Sequence, residues 1–522
     1  MFTQLFDKSS KEESAAGGCI ESDDAIKKAK LLLSNKATKI ISPPERETEI
    51  TVIIPCFNAR KFLIETLDSV FNQSLSSDLI QAIVVDDKSN DDSSDLLMAY
   101  ADKHSNLTIV LLNENTGSPG TPRNIGIELS KSKYVTFLDA DDYLHRDGLK
   151  KLYDILEESN DDYVVGKTIK KEEKRETIIG EWQSIKERRN ISPLEVKHFF
   201  HHLGPTARML KLSIVKENNI RFPELRFGED KFFFASVLLY SKSVATTTDV
   251  IYFANRLEEN NASLTRTTDV LQKRKADLQV LKLLNEIQMT IEQKKMIFNR
   301  IYEYDFVRTF NSQLFLKSTN KQEFFSILDQ AIKTTENLEY NFVDEFESDL
   351  YKLAITLYLE GKKEQFIKLF EWNKHDKNKQ FEITNGIAYG VLALENETIY
   401  VKQNMFARYY DSFYRENTFH IKFEIYGDYL SDLNYLLLRD KSKANNDKSF
   451  PISMTNNRAE VEVDLNELTN LDVSQYAVLV RYNDYQNFNV TKVGKNNIKY
   501  NKREYEFYTT VANNLGFSIR NN

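Results

Sequence analysis

A chain of 522 residues is longer than one ordinary hydrophobic core organises, so two to four domains are expected. Hydrophobic residues at 41% and charged residues at 28% describe a soluble globular protein, and a net charge of −8 argues against general nucleic-acid binding, which needs a basic excess. With only two cysteines, Cys19 and Cys56, a disulfide framework is excluded and a reducing, cytoplasmic compartment is expected.

The opening MFTQLFDKSSKEESAAGG lacks a basic start followed by an apolar core, so no secretory signal is expected. No apolar run is long enough to span a bilayer, which leaves peripheral membrane association open. Residues 1–48 form a polar leader with a short helix over Lys27 to Lys36. At Glu49 the texture changes. ITVIIPCFN is a buried strand ended by Pro55, and Phe62, Leu63, Thr66, Leu67, Val70 and Phe71 recur at helical spacing. Strands follow at Ile80 to Val85 and Leu107 to Asn113, each trailed by a polar loop and a helix. A fourth strand lies in YVTFLDADDYL. This strand and helix alternation predicts a parallel sheet covered on both faces, whose ligands sit beyond the carboxyl ends of the strands. Pro55, Asp86, Asp87, Asn115 and Asp139 would share that edge.

In YVTFLDADDYL a buried strand runs without a break into Asp139, Asp141 and Asp142. Like charges this close repel, so the arrangement is comfortable in solvent or around a cation. An Asp-x-Asp at a strand end suggests a divalent metal holding a diphosphate; a solvated turn capping the next helix explains the same fragment equally well. Further on come a helix from Leu149 to Ser159 and a strand over Asp162 to Lys167. A histidine-bearing helical patch (His198 to His202), a Gly-Pro turn, the acidic pair Glu229-Asp230 ahead of an apolar helix, and a strand in VIYFANR complete this domain. Asp269 to Asp376 is helix-rich. After about Gly386 the alternation in TFHIKFEIYG, AEVEVDLNEL and YAVLVRYND predicts a β-sandwich or similar domain. The expected division is leader 1–48, α/β domain 49–265, helical middle 266–385 and β-rich domain 386–522.

TVIIPCFN, IVVDDKSNDDS and YVTFLDADDYL at this spacing resemble the nucleotide-sugar-binding half of family 2 glycosyltransferases with the GT-A (Rossmann-like) fold. NTGSPGTPRNIGIELSKSK, GPTARMLKL and FPELRFGEDKFFF extend the likeness to bacterial wall teichoic acid enzymes that decorate poly(ribitol phosphate) with N-acetylglucosamine. The resemblance spans Glu49 to Arg256. It implies that Pro55, Phe57 and Asn58 line a uridine pocket and that Asp86 or Asp87 accepts the uracil N–H. It implies that Arg123 and Asn124 reach the nucleotide or its phosphates, Arg by its planar fork of donors. Asp139 would meet ribose or a metal-bound water, and Asp141 would ligate Mg²⁺ or Mn²⁺, a hard cation that takes oxygen ligands. Asp142 serves either a ligand or the next helix.

At the far end, Asp230 matches the family's general base, with Glu229 beside it. Alone, Gly-Glu-Asp is a helix start, where acidic groups are favoured by the helix dipole. Arg208 and Lys211 follow the Gly204-Pro205-Thr206 turn and are candidates for a phosphate-bearing acceptor, with a plain surface charge pair as the alternative. His198, His201 and His202 share a helical face, yet neighbouring Phe199 and Phe200 favour packing over zinc. The resemblance therefore implies an inverting, metal-dependent transfer from a UDP-sugar to a polyol-phosphate polymer, by a homo-oligomer joined through its C-terminal region. A capsular polysaccharide, glycolipid or protein acceptor is the nearer alternative. A carbohydrate-binding scaffold with an inactive domain is the farther one.

Overall fold

The computed structural model describes residues 20–35, 38–43, 46–258, 268–491 and 496–521. Most of the leader's first residues, including Cys19, and the expected boundary at 265/266 lie outside the described residues. The first sheet contains β1 (Lys39–Ile41), β2 (Ile50–Cys56), β3 (Ile80–Asp86), β4 (Leu107–Leu111), β5 (Tyr134–Phe137), β6 (Tyr143–Leu144), β7 (Tyr163–Glu172), β8 (Arg175–Ile179), β9 (Arg188–Ile191), β10 (Arg208–Lys211) and β11 (Val244–Asn255). Their spatial order is β1-β4-β3-β2-β5-β10-β7-β11-β6, with β8 on β7 and β9 on β11. The accompanying helices are α1 (Ile20–Ser34), α2 (Leu63–Phe71), α3 (Ser93–Ala101), α4 (Gly120–Leu129), α5 (Gly148–Ser159), α6 (Leu212–Glu217) and α7 (Glu229–Tyr240).

Strands β4, β3, β2 and β5 are parallel, as the alternation predicts, but β10 runs antiparallel to both β5 and β7 and makes the sheet mixed. The strand in β10 is four residues long and bounded by Arg208 and Lys211, too short for periodicity to betray it. Every residue of β2 is buried, because both faces are covered. Ile50, Val52 and Ile54 pack with Leu63, Leu67 and Val70 of α2, while Ile53 joins Ile127 of α4 on the opposite face. Gly126 lets α4 approach β2: a Cβ there would lie 2.4 Å from Ile53 Cγ2.

Part of the leader is integral to this fold. Helix α1 begins at Ile20, earlier than the predicted Lys27, and Ala29 and Leu32 share a core with Ile83, Val85 and Ile125. Strand β1 pairs antiparallel with β4.

The helical region is not an independent spacer. Leu281, Phe298, Ile355 and Phe366 belong to one core with Phe222, Phe233 and Val237 of the α/β domain. A small antiparallel sheet, Gln380–Thr384, Ile387–Ala393 and Thr398–Gln403, contributes Leu392, Ile399 and Val401 to that same core. The β-rich domain therefore starts near Met405 rather than at the predicted 386, since only from Met405 onward do side chains build a separate core. In it, Thr418–Gly427 alternates buried and half-buried residues along most of its length, the period-2 pattern read from TFHIKFEIYG.

Candidate active site at the sheet edge

The carboxyl ends of the parallel strands are in register. Cys56 lies opposite Asp86, Asp86 opposite Leu111, and Ile53 opposite Phe137, so Asp139 leaves the sheet level with Pro55. Pro55 is buried in β2, and the Phe57 ring just beyond is 48% exposed. Asn58 takes a left-handed conformation (φ 50°), which asparagine tolerates. Its N–H donates to Ser89 Oγ at 2.9 Å, and its Oδ1 accepts from Asn90 N at 2.7 Å, locking the β2 turn to the β3 turn. Asp86 accepts from the N–H and hydroxyl of Ser89. Asp87 accepts from Thr116 N at 2.8 Å and Thr116 Oγ1 at 3.0 Å. Burial pushes both carboxyls above the ordinary value.

Oxygens of Asp139, Asp141 and Asp142 all lie within 4.8 Å of one another. Asp142 is the innermost. Its Oδ1 accepts from Asn255 N (2.8 Å) and Arg256 Nη1 (3.1 Å), and its Oδ2 from the Tyr252 hydroxyl (2.9 Å). The same Tyr252 oxygen accepts Asp139 N at 3.2 Å, and Thr66 Oγ1 lies 2.9 Å and 2.7 Å from the carbonyls of Ala140 and Asp142. Asp142 is thus a brace for the loop, and burial together with Asp141 pushes its carboxyl well up. The side chains of Asp139 and Asp141 keep 26% and 25% exposure. A braced loop presenting clustered carboxylate oxygens fits a hard divalent cation such as Mg²⁺ or Mn²⁺.

Arg123 lies in the first turns of α4 and is buried. Its Nη2 donates to Asp139 Oδ1 at 2.8 Å and its Nη1 to Glu229 Oε1 at 2.9 Å, with the guanidinium 5.2 Å from the Phe222 ring centroid. This fork ties the β5 end to the start of α7. Asn124, also expected at the nucleotide, is committed to the backbone of Phe222, accepting its N–H at 2.9 Å and donating to its carbonyl at 2.8 Å. Both sets of contacts have one cause: α4 packs against the 220s segment so closely that a Cβ on Gly120 would lie 3.2 Å from Phe222 Cβ.

Helix α7 starts after Gly228, in the left-handed region at φ 84°. Its first turn presents Glu229 and Asp230. Burial raises the pKa of both, and Arg123 opposes the rise in each. Glu229 is held by Arg123. Asp230 Oδ1 accepts from Lys231 N at 2.8 Å, and Oδ2 faces the turn at Gly204, where an added Cβ would sit 3.8 Å away.

Arg208 and Lys211 do not form an acceptor patch. Arg208 is 1% exposed; its Nε donates to Thr206 O at 3.1 Å and its Nη2 to His202 O at 2.8 Å, so it shapes the Gly204 turn from within. Lys211 pairs in register with Tyr134, at the opposite end of β5 from Asp139, and donates to Asp162 Oδ1 at 3.0 Å. The histidines diverge: His198 Nε2 meets Glu347, whereas burial drives His202 down to about 3. Tyr252 and Arg256 were invisible as site residues because β11 pairs with β6 only through long-range topology, Tyr252 lying opposite Leu144.

Residues 51–217 match the profile described as Glycosyl transferase family 2. Among curated proteins, the chain is 33% identical over 208 residues to the poly(ribitol-phosphate) beta-glucosyltransferase of Bacillus spizizenii, covering 39% of this chain and 32% of that protein. It is 32% identical over 219 residues to the poly(ribitol-phosphate) beta-N-acetylglucosaminyltransferase TarP of Staphylococcus aureus, covering 41% and 65%. The chain spans from about a third to about two thirds of the length of these relatives. The crystal structure of S. aureus TarS superposes with a TM-score of 0.57 at 16% identity over 91% of this chain and 86% of that one. TarS 1–349 in complex with UDP-GlcNAc gives 0.56 at 19% identity over 68% and 99%. The fold is shared from the α/β domain into the C-terminal region.

Proposed function

We propose that this chain is an inverting, divalent-metal-dependent glycosyltransferase that moves a sugar from a UDP-sugar onto a hydroxyl of a poly(ribitol phosphate)-like polymer. The observation that carries the reading is Arg123, which joins Asp139 of the strand-end acidic cluster to Glu229 beside Asp230. That bridge brings a donor-side carboxylate set and a candidate base into one site. N-acetylglucosamine is the preferred sugar, since TarP and TarS carry it in their names and TarS binds UDP-GlcNAc; the glucosyl relative makes glucose the second choice. The names of these relatives also support the polymer.

In this reading Phe57 stacks on the uracil ring and Asp86 or Asp87 accepts its N–H, while Pro55 and Asn58 shape the pocket. Asp141 and Asp139 would hold Mg²⁺ or Mn²⁺, which when bound offsets negative charge on the diphosphate. Asp230 takes the proton of the acceptor hydroxyl as that oxygen bonds to the anomeric carbon. The bond from that carbon to the diphosphate oxygen breaks on the opposite face, its electron pair leaves with UDP, and the configuration inverts in one displacement. Glu229, neutralised by Arg123, positions rather than reacts. Cytoplasmic action fits the buried, unbridged Cys56. The C-terminal β-rich domain is assigned to holding the polymer or a second copy of the chain, which light scattering of the full chain would read as a multiple of 60.8 kDa.

Incubation with UDP-sugars and Mn²⁺, with and without purified poly(ribitol phosphate), tests the proposal. Acceptor-stimulated UDP release is expected; its absence with every donor would sink the enzyme reading.

A further inference from the structure

Behind Asp230 lies a buried cluster of five charged side chains, one from the α/β domain and four from the helical region. Lys231 Nζ meets Asp277 Oδ1 and lies 3.1 Å from Asp305 Oδ2. Arg274 Nη2 is 2.7 Å from Asp277 Oδ2 and 3.8 Å from Asp305 Oδ1, and Arg300 Nη1 also meets Asp305. Side-chain exposure in the cluster runs from 0% for Asp277 to 14% for Lys231. Taking charges out of water is costly, and well-packed apolar groups of similar volume often serve stability as well or better. Stability is thus a weak reason for five charges among Leu278, Leu281 and Phe306. Arg300 and Asp305 stand on a π-helical stretch, Arg300–Val307, a rare geometry that is frequent at functional sites.

The charges do not balance internally. Three cations face two carboxylates, and the nearest further carboxylate along the chain is that of Asp230, whose Oδ1 accepts from Lys231 N at 2.8 Å. Asp230 needs such support. Glu229 from its own helix and Asp139 from the β5 end oppose its ionisation, and Arg123 on α4 already serves both of those carboxylates. Arg208 on β10 also faces it with a positive charge, and the neutral His202 ring packs near the same Gly204 turn.

We propose that this cluster is the electrostatic seat of the base: Lys231, held by Asp277 and Asp305 of the helical region, keeps Asp230 ionised and its helical turn in place. Lys231 and Arg300 are then positioning residues for the transfer. The inference rests on reading Asp230 as the base of a glycosyltransferase, and it makes the helical region part of the catalytic apparatus.

The test uses the full chain with Lys231→Met, Lys231→Arg and Arg300→Gln, measuring acceptor-stimulated UDP release against pH and donor affinity by calorimetry. Lys231→Met should lower kcat by roughly tenfold and move the acidic limb of the pH profile up by about one unit, with donor affinity unchanged. Arg300→Gln should move the limb the same way by less, and it carries the test if Lys231→Met does not fold. Lys231→Arg keeps the charge and should return the limb to its wild-type position. An unmoved limb in the folded charge-removing variants, or the same shift in Lys231→Arg as in Lys231→Met, would overturn the inference while leaving the transferase reading intact. A wild-type chain without acceptor-stimulated UDP release would overturn that reading and this one together.

Discussion

Two large sheets make up much of this chain, and they place their buried charges differently. At the edge of the first, Asp86, Asp87, Asp142, Arg123 and Glu229 are all buried around half-open Asp139 and Asp141, so carboxylates outnumber the cations that face them. In the second, Asp440, Glu506 and Arg481 are buried and each has its partners. Asp440 accepts from Ser442, Ser474 and Asn446, Glu506 meets Arg520 at 2.8 Å, and Arg481 reaches Glu181 of the α/β domain at 3.1 Å. Buried charge that is met by its own counter-charge or set of donors serves the fold. Carboxylates gathered in excess at a strand end are costly without a further cation, and such an arrangement marks chemistry.

The sharpest way to break this contrast is to remove the proposed base. Asp230→Ala should cut turnover by about 10²- to 10⁴-fold while donor binding, followed by calorimetry, survives. Asp141→Ala should instead lose Mn²⁺-dependent donor binding, with thermal unfolding little changed because its side chain is partly open. Arg123→Ala leaves Asp139 and Glu229 without their shared partner. It should destabilise by about 3 to 5 kcal/mol in denaturant unfolding and lose activity as well, since one residue serves both fold and site.

Glu181→Ala sharpens the contrast from the other side. Arg481 would stay buried without its carboxylate, so a stability loss of about 3 kcal/mol is expected with kcat unchanged within twofold. The smallest effect belongs to pH. Burial raises the pKa of Asp230, so the active carboxylate is lost as pH falls through that raised value, and the acidic limb of kcat should lie above the ordinary aspartate value of about 3.9.

Much of the first sheet was legible because its signals are local. β2 and β3 are unbroken apolar runs ending in polar turns, and the Asp139 cluster follows its strand directly. Arg123, Asn124 and Lys211 were read from the same local text, yet their partners stand 16 to 106 positions away, and only packing reveals that Arg123 meets both Asp139 and Glu229. Lys211 misled for a related reason, since the antiparallel sense of β10 carries it to the wrong end of the sheet. The helical region read as a division of its own because its apolar periodicity is the same whether a helix covers its own core or a neighbour's. Trp372 packing on Gly390, where a Cβ would lie 2.6 Å from the ring, displays no sequence signature at all.

The central claim is that the acidic edge and the start of α7 form one active site with Asp230 as its base. UDP release from UDP-N-acetylglucosamine, with Mn²⁺ and purified poly(ribitol phosphate), compared between the wild-type chain and Asp230→Asn tests it most directly. Acceptor-stimulated release by the wild type that falls at least about 100-fold in Asp230→Asn, with donor affinity retained, is the predicted result. Near-normal turnover by Asp230→Asn would contradict it.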